Sequence, residues 1–268
     1  MTSTSPATES AAAAGREAPP LISIRDLWKK LGDQEVLKGF DLDVATGETL
    51  VIVGRSGGGK SVLLKHIIGL LKPDKGDVLV DGESIVALTE RQLSRVRKKI
   101  AVLFQSAALF DSMTVEENIA FPLREAGMKE QREIDAKVAG ALEMVDLAGE
   151  QKKMPEKLSG GMRKRVGLAR AIVTEPRCIL YDEPTTGLDP IVADSINRLI
   201  RRLQKRLGIT SIVVTHDMKS AFHVADHVAY LYDGRVYFKG TPEALRASVD
   251  PLIHDFIEGH SHEIRADD

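Results

Sequence analysis

The hydrophobic and polar positions of this chain follow two periods that alternate along its length. Short apolar runs rich in β-branched residues predict buried strands, and longer stretches with apolar residues every three or four positions predict helices. The predicted strands are 21–27, 40–44, 49–53, 78–80, 100–104, 177–182, 210–215, 228–232 and 235–238. The predicted helices are 60–71, 90–99, 190–207, one that begins near residue 217, and short ones that end near residue 258. This alternation is typical of a mainly parallel sheet covered by helices on both faces.

Two regions depart from that alternation. Phe40, Leu42 and Val44 alternate with polar residues, as in a half-buried antiparallel strand. Between residues 106 and 158 no strand is predicted, and Thr114 opens a capping box that starts a helix. One helical face in this region is marked by Ile134, Val138, Leu142 and Val145. The sequence therefore predicts an α/β core with an antiparallel β-subdomain and an inserted α-helical subdomain.

The composition is that of an ordinary globular protein, with 43% hydrophobic and 28% charged residues. A formal net charge of −2 gives no global attraction to nucleic acid or anionic lipid. The single cysteine, Cys178, cannot form an internal disulfide, which fits a reducing compartment. The longest apolar stretch, 62–71, is interrupted by Lys65 and His66, so we expect no membrane-spanning helix.

The glycine-rich stretch 54–61 reads Gly-Arg-Ser-Gly-Gly-Gly-Lys-Ser and matches the phosphate-binding P-loop pattern at every fixed position. A predicted strand precedes it and a predicted helix follows it, as the motif requires. Glycines let backbone N–H groups turn toward phosphate, Lys60 reaches the β and γ phosphates, and the Ser61 hydroxyl binds Mg²⁺. The predicted nucleotide contacts are Gly54, Arg55, Ser56, Gly57, Gly58, Gly59, Lys60, Ser61 and Val62.

Two acidic residues end a predicted buried strand. Asp182 and Glu183 follow the mostly apolar residues 178–181, at the carboxyl end of the strand, where ligands bind in open α/β sheets. Asp182 suits the Mg²⁺ shell, and Glu183 is expected to act as the base or to orient the attacking water. With the P-loop, these acids predict hydrolysis of a nucleotide.

A second glycine motif follows the predicted helical region. Residues 158–162 read Leu-Ser-Gly-Gly-Met and precede a predicted helix, so Ser159 is a natural N-cap at another potential phosphate-facing helix start. The ordered motifs are the P-loop, Gln105, residues 158–162, Asp182 with Glu183, residues 187–189, and His216. In this order the chain resembles the nucleotide-binding subunits of ABC transporters, over nearly all of residues 21–240.

The resemblance implies a mechanism that depends on two copies of the chain. In this family two ATPase subunits pair head to tail, and each ATP lies between the P-loop of one subunit and the signature motif of its partner. Carried over to this chain, Ser159, Gly160 and Gly161 would grip the γ-phosphate bound to the other copy. The resemblance thus implies an ATPase with ATP and Mg²⁺ as cofactors and a second copy of itself as a partner.

Three further residues take roles from the same resemblance. Gln105 would touch Mg²⁺ and the attacking water, and would link the helical insert to the catalytic core. Asp189 would lie at the dimer contact, and His216 would hold the γ-phosphate. By itself His216 fits a capping or core histidine, because it stands between a predicted strand and a predicted helix. The implied catalytic residues are Glu183, His216, Gln105 and Lys60. The implied metal ligands are Ser61, Gln105 and Asp182.

The chain departs from the family pattern at two places. Many relatives stack adenine on an aromatic residue in the loop after the first strand, whereas this chain has Leu31 there and Trp28 three residues earlier. Either the phosphates carry more of the affinity or Trp28 serves as the stacking residue. Val62 stands where many relatives have a second hydroxyl for the α-phosphate, so one phosphate contact is expected to be missing.

A narrower resemblance covers three segments, which are residues 103–125, residues 59–65 and the helix that begins at Asp250-Pro251. These segments are similar to the ATPase of Mla and Mce-type systems, which transport phospholipid between the membranes of double-membraned bacteria. The resemblance implies an MlaE-like membrane permease and a peripheral location at the cytoplasmic face of the inner membrane. It adds two candidate partners, a small MlaB-like STAS-domain subunit and a Mce-domain lipid-binding protein. The expected lining of the permease groove is Leu109, Phe110, Met113 and Phe121, with core packing as the competing interpretation.

Two other functions remain open. An importer ATPase for amino acids or another small solute shares every catalytic motif. A soluble ABC-type ATPase that acts on nucleic acid usually carries a coiled-coil insert or a second ATPase domain, neither of which is evident here. The basic residues of helix 190–207 alternate with apolar ones, which is typical of a solvated helix face, so we expect no nucleic-acid partner. His254, His260 and His262 lie in a polar tail and predict adventitious metal binding at most.

These observations divide the chain into three expected parts. Residues 1–19, rich in Ala, Ser, Thr and Pro, form a disordered tail. Residues 20–240 form the ABC ATPase domain, with its helical subdomain at about 106–165. Residues 241–268 form a C-terminal helical extension and tail.

Overall fold

A computed structural model describes residues 19–260, so nearly all of the predicted N-terminal tail lies outside the described residues. Within 19–260 the strands are β1 (Ile22–Leu31), β2 (Gln34–Val44), β3 (Thr49–Val53), β4 (Lys75–Val80), β5 (Glu83–Ser84), β6 (Ile100–Leu103), β7 (Cys178–Asp182), β8 (Thr210–Thr215), β9 (His227–Tyr232) and β10 (Arg235–Gly240). The α-helices are α1 (Lys60–Ile67), α2 (Glu90–Arg97), α3 (Val115–Glu125), α4 (Gln131–Met144), α5 (Gly160–Ile172), α6 (Pro190–Leu207), α7 (Met218–Val224), α8 (Pro242–Arg246) and α9 (Pro251–Glu258).

The larger sheet has six strands in the order β10-β9-β3-β8-β7-β6. The strands from β9 to β6 pair in parallel, and β10 is antiparallel to β9. Alternate residues of β3 enter two separate cores, Val51 and Val53 in one and Leu50 and Ile52 in the other. Because successive side chains of a strand point to opposite faces, both faces of this sheet are covered, and the predicted α/β class is confirmed.

The smaller sheet has four antiparallel strands in the order β2-β1-β4-β5. The alternating residues Phe40, Leu42 and Val44 are buried, as predicted. β1 continues to Leu31, beyond the predicted end at residue 27. Its last part contains lysines with no apolar alternation, and it is held instead by pairing with β2, which a local pattern cannot reveal.

The helices α3, α4 and α5 pack together in the stretch without strands, where helices were predicted. The capping box at the start of α3 is formed, because Thr114 Oγ1 accepts from Glu117 N at 3.3 Å and Glu117 Oε2 accepts from Thr114 N at 2.7 Å. Helix α1 is shorter than predicted and ends at Ile67, since Gly69 takes a left-handed φ of 64°. No helix within residues 19–260 has both the length and the apolar character needed to cross a bilayer.

Candidate functional site

Four neighbouring parallel strands bring the predicted catalytic segments to one edge of the larger sheet. β3 leads into the P-loop, β8 into His216, β7 ends at Asp182 and leads into Glu183, and β6 leads into Gln105. The strands are in register through the pairs Val53 with Thr215, Val213 with Tyr181, and Tyr181 with Leu103. Because parallel strands place their carboxyl ends at the same edge, segments distant in sequence meet there.

The P-loop folds closely against its surroundings and needs glycine at two positions. A Cβ on Gly54 would lie 2.6 Å from the carbonyl oxygen of Leu231, which is closer than the atoms can approach. Gly59 has a φ of 97°, and a Cβ there would lie 2.9 Å from Cγ1 of Val36. Gly59 directly precedes α1, whose first backbone N–H groups have no partners within the helix. The loop therefore has the form of a backbone cradle for an anionic group.

Lys60 places a buried cation at this cradle. Its Nζ donates to the carbonyl oxygens of Gly54 at 2.7 Å and Arg55 at 2.9 Å. Burial lowers the pKa of the Lys60 ammonium, while the negative charges of Glu183 and Asp182 act in the opposite direction. A buried cation held only by carbonyl oxygens and nearby acids fits the oxygens of a phosphate chain.

Ser61 and Asp182 form a pair of oxygen donors beside the cradle. The Ser61 hydroxyl donates to Asp182 Oδ1 at 3.0 Å, although the two residues are far apart in sequence. A hydroxyl and a carboxylate are the hard oxygen ligands that Mg²⁺ prefers. This donor set fits the metal that accompanies a nucleoside triphosphate.

Glu183 is held at its backbone and at both carboxylate oxygens. It has a φ of 48°, a left-handed conformation that costs a non-glycine residue about 1–3 kcal/mol. Oε1 lies 2.9 Å from Nδ1 of His216, and Oε2 accepts from Thr215 Oγ1 at 3.1 Å and Thr186 Oγ1 at 3.2 Å. The strained turn and these partners fix the carboxylate, which is what a general base requires.

The signature segment forms the start of α5. Ser159 is the N-cap and accepts from Met162 N at 3.3 Å. A Cβ on Gly160 would lie 3.2 Å from Leu188, and one on Gly161 would lie 2.6 Å from Val192, so the glycines allow α5 to approach the start of α6. Within residues 19–260, no hydrogen bond joins Ser159, Gly160 or Gly161 to the P-loop of the same chain.

Asp189 is the N-cap of α6. Its Oδ1 accepts from Ile191 N and Val192 N, each at 3.0 Å. Ile191 follows with 83% of its surface exposed, which is unusual for an aliphatic residue. The predicted role of Asp189 at a dimer contact stays a prediction, and the structure adds a capping role for the same side chain.

Lys164 is a residue of the site that sequence reasoning missed. It is only 4% exposed, and its Nζ donates to the backbone carbonyl oxygens of Gln105 and Glu183. In the sequence it stands within the basic run 163–165, and nothing there singled it out as a site residue. A signal was present, since Lys164 precedes the buried residue Leu168 by four positions and shares its helix face.

Trp28 has its partners away from the P-loop. Its indole N–H donates to Asp26 Oδ1 at 2.6 Å, its ring lies beside Gly39, and Lys75 Nζ lies 5.9 Å from the ring centroid. Leu31 is 44% exposed and ends β1. The strand that follows Leu31 carries Val36, whose Cγ1 would lie 2.9 Å from a Cβ on Gly59 of the P-loop. Which of Leu31 and Trp28 lies beside a nucleotide base stays a prediction, and these contacts lead us to expect the end of the β1–β2 hairpin there.

A groove of about 830 Å³ lies between the β6 end, α2, α3 and α5. Its aromatic lining is Phe104, Phe110 and Phe121, two of which are strongly exposed, Phe104 at 43% and Phe110 at 41%. Phe110 and Phe121, both expected to line a permease groove, line this one, and its role as the permease groove stays a prediction. Leu109 packs against the core, in line with the competing interpretation, and Met113 is not among the residues that line this groove.

Within residues 19–260, no group of three or more His, Cys, Asp or Glu side chains is arranged to hold a metal ion. His254 and His260 are exposed, and His262 lies outside the described residues.

Comparisons of the sequence with known proteins give matches over most of the chain. The sequence profile of a family described as ABC transporter matches residues 37–186. The Escherichia coli K12 protein named intermembrane phospholipid transport system ATP-binding protein MlaF is 41% identical over 239 residues, covering 89% of each chain. A Mycobacterium leprae protein named probable ribonucleotide transport ATP-binding protein mkl is 41% identical over 238 residues, covering 89% of this chain and 69% of its own. The match to the Mycobacterium bovis protein of the same name covers 66% of that protein's length.

Two solved structures share the fold. The cbiO1 protein of Clostridium perfringens, part of the cbiONQ ABC transporter complex, has a TM-score of 0.80 and 32% identity, covering 86% of this chain and 92% of its own. The ATP-binding cassette MJ0796, solved as a dimer in a post-hydrolysis state with ADP and Pi, has a TM-score of 0.75 and 33% identity. That match covers 82% of this chain and 98% of the cassette.

Proposed function

This chain belongs to the ABC transporter family, and from that premise we propose that it is the ATP-hydrolysing subunit of a system that transports phospholipid between the membranes of a double-membraned bacterium. The observation that carries the ATPase is the convergence of Lys60, Ser61, Asp182, Glu183 and His216 at one sheet edge. The phospholipid assignment is supported by the likeness to MlaF, which extends over 89% of both chains.

The residues of the site divide the work of hydrolysis. Mg²⁺ bound with ATP would offset the negative charge on the phosphate oxygens and so leave the γ-phosphorus open to attack by water. The P-loop N–H groups and Lys60 orient the phosphates, while Ser61 and Asp182 supply oxygen ligands. Glu183 takes the proton of the attacking water, and its held carboxylate avoids the cost of ordering the base during the reaction.

A second copy of the chain completes each site in this proposal. Ser159 and Gly160 are exposed, and neither has a hydrogen bond to the P-loop of its own chain. The dimeric state of the cassette MJ0796 supports a paired arrangement. Ser159, Gly160 and Gly161 of one copy would then contact the nucleotide on the P-loop of the other, with Asp189 beside the contact and Gln105 at the metal.

The aromatic groove is the proposed docking surface for the membrane permease. Phe104, Phe110 and Phe121 offer an apolar surface next to Gln105, so a helix seated there would lie close to the catalytic edge. The chain then associates peripherally with a membrane transporter, which we place in the inner membrane with an MlaE-like permease. A Mce-domain protein and an MlaB-like STAS subunit are the further partners that we propose.

Reconstitution of the chain with a membrane permease that copurifies with it tests the proposal. In proteoliposomes we expect ATP-dependent transfer of fluorescent phospholipid, and Lys60→Ala should abolish both transfer and ATPase activity because it removes the cation at the phosphates. The matched control is Lys205→Met on the exposed face of α6. Normal ATPase activity of Lys60→Ala would refute the nucleotide site itself.

The name of the mycobacterial relatives favours a second candidate, transport of a small solute. The same vesicles therefore serve for uptake of a radiolabelled ribonucleotide. ATP-dependent uptake of the ribonucleotide without phospholipid transfer would replace the lipid assignment and leave the ATPase site intact.

A further inference from the structure

Lys164 is a buried cation inside the helix that starts with the signature segment. It lies on α5, five residues after the N-cap Ser159, and it is only 4% exposed. Burial lowers the pKa of Lys164, while the charges of Asp182 and Glu183 act in the opposite direction. Burying a lysine costs desolvation free energy, and an apolar residue would fill the same space without that cost. The hydrogen bonds of the Lys164 ammonium therefore offer the better explanation of its presence.

Lys164 Nζ donates to two backbone carbonyl oxygens, and each lies just beyond the end of a strand of the larger sheet. One is the carbonyl oxygen of Gln105, just beyond β6, and the other is the carbonyl oxygen of Glu183, just beyond β7, at 3.4 Å. At these points the chain departs from the sheet ladder, and an ammonium with three donors can hold more than one carbonyl at once. Lys164 thus joins the backbone at Gln105 to the backbone at Glu183.

We propose that Lys164 is a positioning residue that fixes the backbone of Gln105 and Glu183 in its own chain, and so sets the direction of the catalytic carboxylate. The proposal rests on the ATPase site described above. Glu183 occupies a left-handed turn with a φ of 48°, so a tie at its carbonyl oxygen opposes relaxation of the turn. The competing explanation is that Lys164 serves only the stability of α5.

The first test removes the donors but keeps the length of the side chain. Lys164→Met should lower kcat about 10- to 100-fold, because the base is displaced, with the KM for ATP changed less than about threefold, because the P-loop is intact. Lys164→Arg, which restores donors, should recover most of the rate. Lys205→Met, on an exposed position of α6, is the matched control and should match wild type.

A readout independent of turnover accompanies the rates. In the nucleotide-free complex, Lys164→Met should speed amide hydrogen exchange at residues 104–107 and 183–186, and Lys205→Met should not. Lys164→Leu, which also lacks a donor, carries the same comparison if the Met variant does not fold. Wild-type exchange and wild-type kcat in the variant that folds would overturn the proposal.

Mixed pairs distinguish positioning from helix stability. In a complex with Glu183→Gln in one copy, hydrolysis depends on Glu183 of the other copy, while the silenced copy contributes its signature segment. We expect the remaining activity to fall at least about tenfold when Lys164→Met is placed in the active copy. It should fall less than about threefold when the substitution is placed in the silenced copy. Equal losses from both placements would show a role in α5 stability and would overturn the proposal. If the Lys164 proposal fails while Lys60→Ala is inactive in the same assay, the proposed ATPase site still stands.

Discussion

The carboxylate of Glu183 and the imidazole of His216 form a direct pair, with Oε1 2.9 Å from Nδ1. The carboxylate can only accept when ionised, so Nδ1 of His216 is the donor. Thr215, which precedes His216, holds the other oxygen of Glu183 at 3.1 Å. The histidine at the end of β8 and the acid beyond β7 are therefore one unit, and a change in either side chain alters the surroundings of the other.

Glu183→Gln should retain ATP binding and reduce hydrolysis by about 100-fold or more, because an amide keeps the shape of the side chain but cannot take a proton. Single-turnover hydrolysis and equilibrium binding of ATP, measured on the same preparation, separate the two effects. Glu175→Gln makes the same chemical change at a side chain that is 78% exposed and should behave as wild type. A hydrolysis rate of Glu183→Gln within a factor of a few of the wild-type rate would show that Glu183 is not the base.

Phe110→Asp should weaken association with the permease at least about tenfold, because it places a charge in the aromatic groove. The Phe110 ring lies 4.9 Å from the Phe121 ring, and Asn118 holds the Phe110 backbone through Nδ2 and Oδ1. ATP affinity should stay unchanged, since the groove and the P-loop are separate. Copurification with the permease is the measurement, and Val249→Asp, at a position 96% exposed, is the control. Equal copurification of both variants would place the permease elsewhere.

The parts of the fold that were predicted to the residue are those with local end signals. Helix α6 spans Pro190–Leu207 as predicted, because an Asp-Pro pair marks its start and Gly208, with a φ of 64°, marks its end. Strand β8 likewise matches its apolar run. The P-loop and Asp182 could be predicted as site residues because their chemistry needs fixed residue types at fixed spacing.

The parts that could not be predicted depend on contacts between distant segments. Lys164 sits in a basic run, and only the packing of α5 against the end of β6 shows that it is buried. The hydrogen bond from Ser61 to Asp182 and the pair of Glu183 with His216 likewise require the strand order of the sheet. A single sequence contains these residues but does not state which of them touch.

Leu31→Tyr should strengthen ATP binding, by about 1–3 kcal/mol if the ring stacks on adenine, because the hairpin end is close to the P-loop through Val36. Trp28→Ala should leave ATP affinity within about twofold, since the contacts of Trp28 are to Asp26, Gly39 and Lys75. Calorimetric titration with ATP checks both. Inorganic triphosphate, which has no base, is the control ligand and should bind the Leu31→Tyr variant as it binds wild type. Weaker ATP binding by Trp28→Ala alone would assign the base contact to Trp28.

His66 is a buried histidine of α1 with one ring nitrogen hydrogen-bonded. It is 1% exposed, and Nδ1 lies 2.8 Å from the carbonyl oxygen of Val62. A carbonyl oxygen only accepts, so Nδ1 carries the proton and Nε2, which has no hydrogen-bond partner, is the unprotonated nitrogen. Burial lowers the pKa of His66 below its ordinary value of 6.5, and the charge of Lys29 acts in the same direction.

His66→Leu should therefore make the protein less sensitive to mild acid. Because the native pKa is lowered, the unfolded chain binds the proton more tightly, so the contribution of His66 to stability is complete above pH 6.5 and is lost as the pH falls below it. Thermal unfolding between about pH 7.5 and 5 should show a smaller drop in Tm for His66→Leu than for wild type. His254→Leu, at an exposed position, is the matched control and should follow wild type. Parallel Tm curves for all three proteins would mean that His66 is protonated in the native state without cost.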